Sequence, residues 1–239
     1  MVLRVLRFTG SERAVHWLTA AAFVSLLASG LLVGRSGSFH NLMYGWHLIS
    51  AGALVGGILL GIAAGNRRAL GGAASELVRL TADDRSWLAH APAHLLAGDP
   101  EPSTGRFNGG QKLNFLLVCL LLAMLFLTGI NAIVEGRHHN LVFAGHKLAT
   151  IAACGLVGAH MYMAVVNRGT RNALRGIATG EVDRAWAEKH YPQWTAAQLA
   201  PASTAQAAGH NRDCPGQPLL AARASDRSAS KRPWAGTSR

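Results

Sequence analysis

The sequence predicts an all-α membrane protein, a four-transmembrane-helix bundle with both termini cytoplasmic and a disordered C-terminal tail. Three observations carry this prediction. First, four stretches contain no Asp, Glu, Lys or Arg: Ala14–Gly34 (21 residues), Ser36–Asn66 (31), Leu113–Val134 (22) and Leu148–Asn167 (20). A bilayer's hydrocarbon core needs roughly 20 apolar residues per helix, so each stretch is long enough to cross. Second, the basic residues are segregated. Of 23 Lys and Arg, three precede the first stretch, five lie between the second and third, and eleven follow the fourth, whereas the two opposite loops hold only Arg35 and Arg137. Such asymmetry places the basic side in the cytoplasm. Third, the chain from Thr195 onward is rich in Ala, Pro, Ser and Arg without apolar periodicity, the pattern of a segment that cannot bury a core.

Composition excludes the obvious alternatives. Only 15% of residues are charged, against about a quarter in soluble domains, and the mean hydropathy of +0.20 averages apolar spans with a polar tail. The net charge of +11 reads as a topology signal. Residues 168–239 carry eleven Lys and Arg against five Asp and Glu with no nucleic-acid-binding motif, so the tail faces anionic lipid and no nucleic-acid partner is expected. No Cys-x-x-Cys-His is present, which excludes covalent c-type haem.

Taken in order, residues 1–194 form the membrane domain, with spans at about 14–34, 42–65, 113–134 and 146–167, and residues 195–239 form the tail. Met1–Arg13 is a basic interfacial segment, and the first span is too long for a cleaved signal sequence. The second span carries Gly52/Gly56 and Gly57/Gly61/Gly65, a spacing that lets helices approach closely. The inner loop, 66–111, mixes Leu70, Leu77, Trp87 and Leu88 with charges and is expected to form short amphipathic pieces on the membrane surface. Beyond Asn167 a single cytoplasmic helix is expected to about His190.

Four of the eleven histidines lie in or beside spans: His16, His47, His146 and His160. Ionisable groups at membrane depth are costly and mark functional sites. His146 and His160 are 14 residues apart, which is roughly 21 Å along a helix and within about 40° of one face. With both termini inside, His16 matches His160 in depth on the inner side, and His47 matches His146 on the outer side. Each pair can clamp one iron from opposite helices, as in two stacked bis-histidine b haems. His40, His138 and His139 fall in outer loops, where a histidine needs no ligand. His90 and His94 have metal-binding spacing, but Pro92 interrupts it.

Several segments resemble the cytochrome b (gamma) subunit of formate dehydrogenase over about Arg7 to Trp194. They are Glu12-Arg13 with His16-Trp17, the run Arg106-Phe107-Asn108-Gly109-Gly110-Gln111-Lys112, His160-Met161-Tyr162-Met163-Ala164, and the set Gly180, Val182, Trp186, Ala187, His190, Pro192 and Trp194. The resemblance implies a subunit that takes electrons from an outer iron–sulfur (beta) subunit, carries them over two haem b groups and reduces menaquinone or ubiquinone near the inner face of a bacterial inner membrane. Formate would be oxidised on a separate molybdenum or tungsten (alpha) subunit. The same four histidines fall on the family's ligand positions, and Asn108, Gly110, Gln111 and His160 on its quinone pocket. Leu48 follows His47 where the family often has proline, and the tail has no counterpart. Taken alone, Asn108 and Gln111 equally fit helix capping. Two other readings stay open: the cytochrome subunit of a hydrogenase or sulfur-compound reductase, and a haem-free anchor.

Overall fold

The computed structural model describes residues 3–33, 37–91, 104–135 and 140–198. Four helices are long and apolar enough to cross a membrane: α1 (Gly10–Leu32), α2 (Ser38–Ala64), α5 (Gly109–Val134) and α6 (Asn140–Met161), the last extended by a π-helical turn at Tyr162–Val166. Large apolar side chains such as Leu31, Leu60, Leu127 and Ile151 point outward, as expected where lipid replaces water. α1 packs along α2 and α5 along α6. Among the described residues, no spanning helix of one hairpin packs along the other hairpin to a comparable extent.

Both hairpins start four residues earlier than the uncharged stretches, because their first turns carry charge. Thr9 caps α1 in a reciprocal box with Glu12, whose Oε2 accepts from Thr9 N at 2.7 Å. Asn108 caps α5 the same way with Gln111. Capping boxes satisfy orphan N–H groups that the helix cannot pair itself. In the first hairpin, a Cβ on Gly57 would meet Leu18 Cβ at 3.9 Å, and one on Gly61 would fall 2.4 Å from Val15 Cγ2. These glycines therefore pack α2 onto α1 as expected. Gly52 and Gly56 face open space within this chain.

The inner loop is more than a surface segment. Helices α3 (Arg67–Val78) and α4 (Ala82–Ala89) both pack against α5, burying Ala73 and Trp87. Asp84 of α4 and Lys112 of α5 form an ion pair at 2.6 Å with both side chains buried, and Lys112 Nζ also donates to the Arg79 carbonyl at 3.0 Å.

The helix expected after Asn167 is two helices, α7 (Asn172–Thr179) and α8 (Arg184–His190), separated by strand β2 (Glu181–Asp183). Gly180 ends α7 with φ of 95°, a left-handed conformation natural to glycine. Its carbonyl then accepts from Arg7 N and Phe8 N. β2 pairs antiparallel with β1 (Arg4–Leu6), with Val5 opposite Val182. The N-terminal segment is thus half of a small cap rather than a free interfacial arm. Val182, Ala187, Tyr191 and Trp194 form that cap's core. Residues 192–198 are helical and Thr195 is buried, so ordered structure continues past the expected start of the tail. The remainder of that segment, 199–239, lies outside the described residues.

Candidate functional site: two histidine pairs across the hairpins

α1 and α6 bring His16 and His160 face to face, with ring centroids 6.3 Å apart and planes at 55°. α2 and α6 bring His47 and His146 together, with centroids 6.5 Å apart and planes at 71°. His47 lies beside Ser29, thirteen residues along α1 from His16, so the pairs are separated by about 20 Å along the helix. Two imidazoles bound trans to one metal at about 2.0 Å per bond have ring centres roughly 6–6.5 Å apart. Both pairs meet that spacing. Each pair therefore offers two facing imidazoles, a donor set that fits a metal-containing prosthetic group held between hairpins.

A hydroxyl stands beside each histidine of the second pair: Ser29 Oγ lies 3.0 Å from His47 Nδ1 and 2.7 Å from the Ser25 carbonyl, and Thr128 Oγ1 lies 2.9 Å from His146 Nδ1 and 2.6 Å from the Met124 carbonyl. When these hydroxyls donate to the backbone they accept from Nδ1–H, the tautomer that leaves Nε2 with the free lone pair a metal ligand requires. Sequence reasoning passed over Ser29 and Thr128, because a hydroxyl within an apolar helix is ordinarily satisfied by its own backbone.

Residues around His16 tie α1 to the inner cap. Trp17 Nε1 donates to the Ile177 carbonyl at 3.2 Å, Arg13 donates to the Ile177 and Ala178 carbonyls, and Glu12 accepts from Arg106 at 2.7 Å. Charged and aromatic groups beside His16 thereby cap the end of α7 and hold the two hairpins together. Arg7, 3% exposed, stacks on Tyr191 at 3.8 Å from its ring centre, with Phe8, Trp186 and Trp194 around it, an arrangement that offsets its charge through the ring faces.

Asn108 and Gln111 are engaged with one another. Asn108 Oδ1 accepts from Gln111 N at 2.9 Å, Gln111 Oε1 accepts from Asn108 N at 3.1 Å, and Gln111 Nε2 donates to the Tyr191 hydroxyl at 3.2 Å. Gly110 leaves room for α4: a Cβ there would lie 2.7 Å from two ring atoms of Trp87. This turn sits at the N-terminal end of α5, the end toward which His160 lies on antiparallel α6, while the His160 ring itself faces His16. His40 Nδ1 bonds the Val33 carbonyl at 2.6 Å and His90 Nδ1 the Ser86 carbonyl at 2.8 Å, both local backbone contacts. His94, His138 and His139 lie outside the described residues.

A helical membrane protein with imidazoles paired across its hairpins has the construction of a membrane cytochrome of the b type. Comparison with known proteins agrees: the chain belongs to the prokaryotic cytochrome b561 family, which it matches over residues 7–180. It is 26% identical over 217 residues to the formate dehydrogenase cytochrome b556(fdo) subunit of Escherichia coli K12, covering 80% of this chain and 91% of that one. It is 30% identical over 97 residues to the nitrate-inducible cytochrome b556(Fdn) subunit of the same organism, covering 38% of this chain and 43% of that one. The cytochrome b556 subunit of formate dehydrogenase from Haemophilus influenzae is also 30% identical over 97 residues, 38% of this chain and 40% of that one. The role of the chain is accordingly that of an integral membrane cytochrome b in electron transfer.

Proposed function

We propose that this chain is the cytochrome b subunit of a membrane-bound formate dehydrogenase in a bacterial inner membrane, linking an iron–sulfur subunit on the outer side to quinone near the cytoplasmic face. The observation that carries the reading is the ligand-ready spacing of two histidine pairs, 6.3 and 6.5 Å between ring centres. His16 and His160 would hold an inner haem b, and His47 and His146 an outer one. Haem b, when bound, supplies a one-electron couple. The chain's own histidines would supply the nitrogens that hold it, one from each hairpin in each pair. The segregation of basic residues supports both termini being cytoplasmic. The names of the relatives favour formate dehydrogenase over hydrogenase or sulfur-compound reductase. The third partner in this reading is the catalytic molybdenum or tungsten subunit that the sequence resemblance implies.

Asn108, Gly110, Gln111 and His160 are proposed to border the quinone. Because the cap uses the Asn108 carbonyl oxygen, its amide nitrogen is the group left to donate to a quinone oxygen. The test is a pyridine-haemochrome count with a reduced-minus-oxidised spectrum of the purified chain. Two b haems per chain are expected, with His16→Ala and His160→Ala removing one and His47→Ala and His146→Ala removing the other. A folded bundle carrying no haem would overturn the reading, as would His16→Ala and His47→Ala abolishing the same haem.

A further inference from the structure

The two hairpins are copies of one another. Residues 7–61 and 106–160 align without a gap at an offset of 99. Arg7-Phe8-Thr9-Gly10-Ser11-Glu12-Arg13 answers Arg106-Phe107-Asn108-Gly109-Gly110-Gln111-Lys112, Ser29-Gly30 answers Thr128-Gly129, and His40-Asn41-Leu42 with His47 answers His139-Asn140-Leu141 with His146. The coordinates repeat the relation. Arg7 Nη2 donates to the Arg106 carbonyl at 2.8 Å and Arg106 Nη2 returns the bond to the Arg7 carbonyl at 2.6 Å. Phe8 and Phe107 meet at 6.2 Å. Reciprocal contacts between equivalent residues are the mark of a two-fold interface. His47 and His146 are likewise equivalent residues facing each other, so the outer site lies on the pseudo-two-fold axis. The inner site does not, since the equivalents of His16 and His160 are Phe115 and Gly61.

Each outer histidine sits in the same local device. A hydroxyl 18 residues earlier lies within hydrogen-bond distance of its Nδ1, at 3.0 Å for Ser29 and 2.9 Å for Thr128. A glycine 17 residues earlier leaves room for its ring: a Cβ on Gly30 would lie 3.2 Å from His47 Cε1, and one on Gly129 would lie 3.6 Å from His146 Cε1. We infer that Ser29 and Thr128 are equivalent positioning residues that fix His47 and His146 from the two sides of the axis and together set the redox poise of the outer haem. The inference rests on the haem-ligand reading above. An acceptor on Nδ1–H makes an imidazole the more basic ligand, which favours the oxidised iron, so removal of either hydroxyl favours the reduced form.

The experiment is an optical redox titration of the purified full chain, with low-temperature electron paramagnetic resonance to separate the two low-spin ferric signals. Ser29→Ala and Thr128→Val are each expected to raise the reduced-to-oxidised ratio of one and the same haem about three- to tenfold at fixed potential, the range that one hydrogen bond spans. The signal of the other haem should stay in place. Ser29→Thr and Thr128→Ser keep the hydroxyl and should keep the wild-type ratio. If a hydroxyl-free variant loses a haem, loss of the same haem from both variants supports the pairing. Responses from different haems overturn it, as do two retained haems with unchanged titrations. Absence of haem from the wild-type chain refutes the cytochrome reading itself and is a different result.

Discussion

Removing the Asp84 carboxylate should be the most damaging change at the inner end of the bundle. Asp84 is 2% exposed and Lys112 is 7% exposed, and their 2.6 Å bond joins α4 to the first turn of α5. Truncating one partner of a buried pair leaves the other charge without compensation, at a cost of about 3–5 kcal/mol. The two truncations should not cost the same. In Asp84→Ala, the Lys112 ammonium retains, among the described residues, the Arg79 carbonyl at 3.0 Å. In Lys112→Met, Asp84 still accepts from Thr81 N and Thr81 Oγ1, both at 2.8 Å, and lies in the first turn of α4, where the helix dipole favours an anion. Asp84→Ala should therefore lie at the upper end of that range and Lys112→Met below it, with the double variant costing less than the two singles together. Thermal loss of the haem spectrum and of circular dichroism in detergent ranks the three. The exposed pair Arg184–Glu188 (2.8 Å) is the control, with an expected effect of about 0–1 kcal/mol. The reasoning is refuted if Asp84→Ala melts no lower than Glu188→Ala. pH adds a second check. Burial pushes the Asp84 carboxyl up, but the bonds from Lys112 and Thr81 outweigh it and hold it below its ordinary value. The pair's stabilisation is then complete above about pH 4, the unfolded value, and is lost only as pH falls through the lower folded value. A loosening of α4 that begins near neutrality would contradict this.

Two further substitutions separate packing from chemistry in the 108–111 turn. Gly110→Ala puts a methyl 2.7 Å from the buried Trp87 ring and should cost about 1–3 kcal/mol. Gly71→Ala, facing open space on α3, should gain about 0.5–1 kcal/mol; equal melting temperatures for the two would remove the packing role. Asn108→Ala should cost about 1 kcal/mol through the lost cap. Gln111→Glu keeps an acceptor for the box, as Glu12 does in the first hairpin, and removes only the amide donor. Slowed quinone reduction with an intact b-haem spectrum is expected from both, and haem loss in either would make the turn purely structural.

The four spans and the two histidine pairs were legible because each rests on a signal that a single chain carries: absence of charge over a membrane thickness, and depth counted along a helix. α1 and α5 begin before the uncharged stretches because capping boxes and buried partners accommodate Glu12, Arg13 and Lys112 in their first turns. The break at Gly180 was hidden because the residues on either side of it suit a helix. What forces the turn is Val182, buried completely against β1 from the other end of the sequence. Arg7 was counted as one of several topology-setting cations, and nothing local announces that four aromatic rings enclose it. Ser29 and Thr128 were within reach of sequence alone, but only by aligning the chain with itself at an offset of 99.

That internal repeat also accounts for where the inner pair comes from. At the position equivalent to His160 the first hairpin has Gly61, whose missing side chain lets α2 close on Val15 of α1. A histidine there would fall inside that contact. The position equivalent to Val15 in the second hairpin is Asn114, and the His160 ring lies against His16 of the first hairpin. Both pairs therefore draw one histidine from each hairpin. The ends of the hairpins beside the cap are additionally joined by the Arg7–Arg106 bonds and the Glu12–Arg106 ion pair. Toward their opposite ends the facing rings of His47 and His146 bridge them. The two halves keep His47 and His146 at equivalent positions, whereas His16 and His160 have no histidine counterpart. On the haem reading proposed above, groups held by the two pairs would differ in potential, since Ser29 and Thr128 flank His47 and His146 alike from both sides.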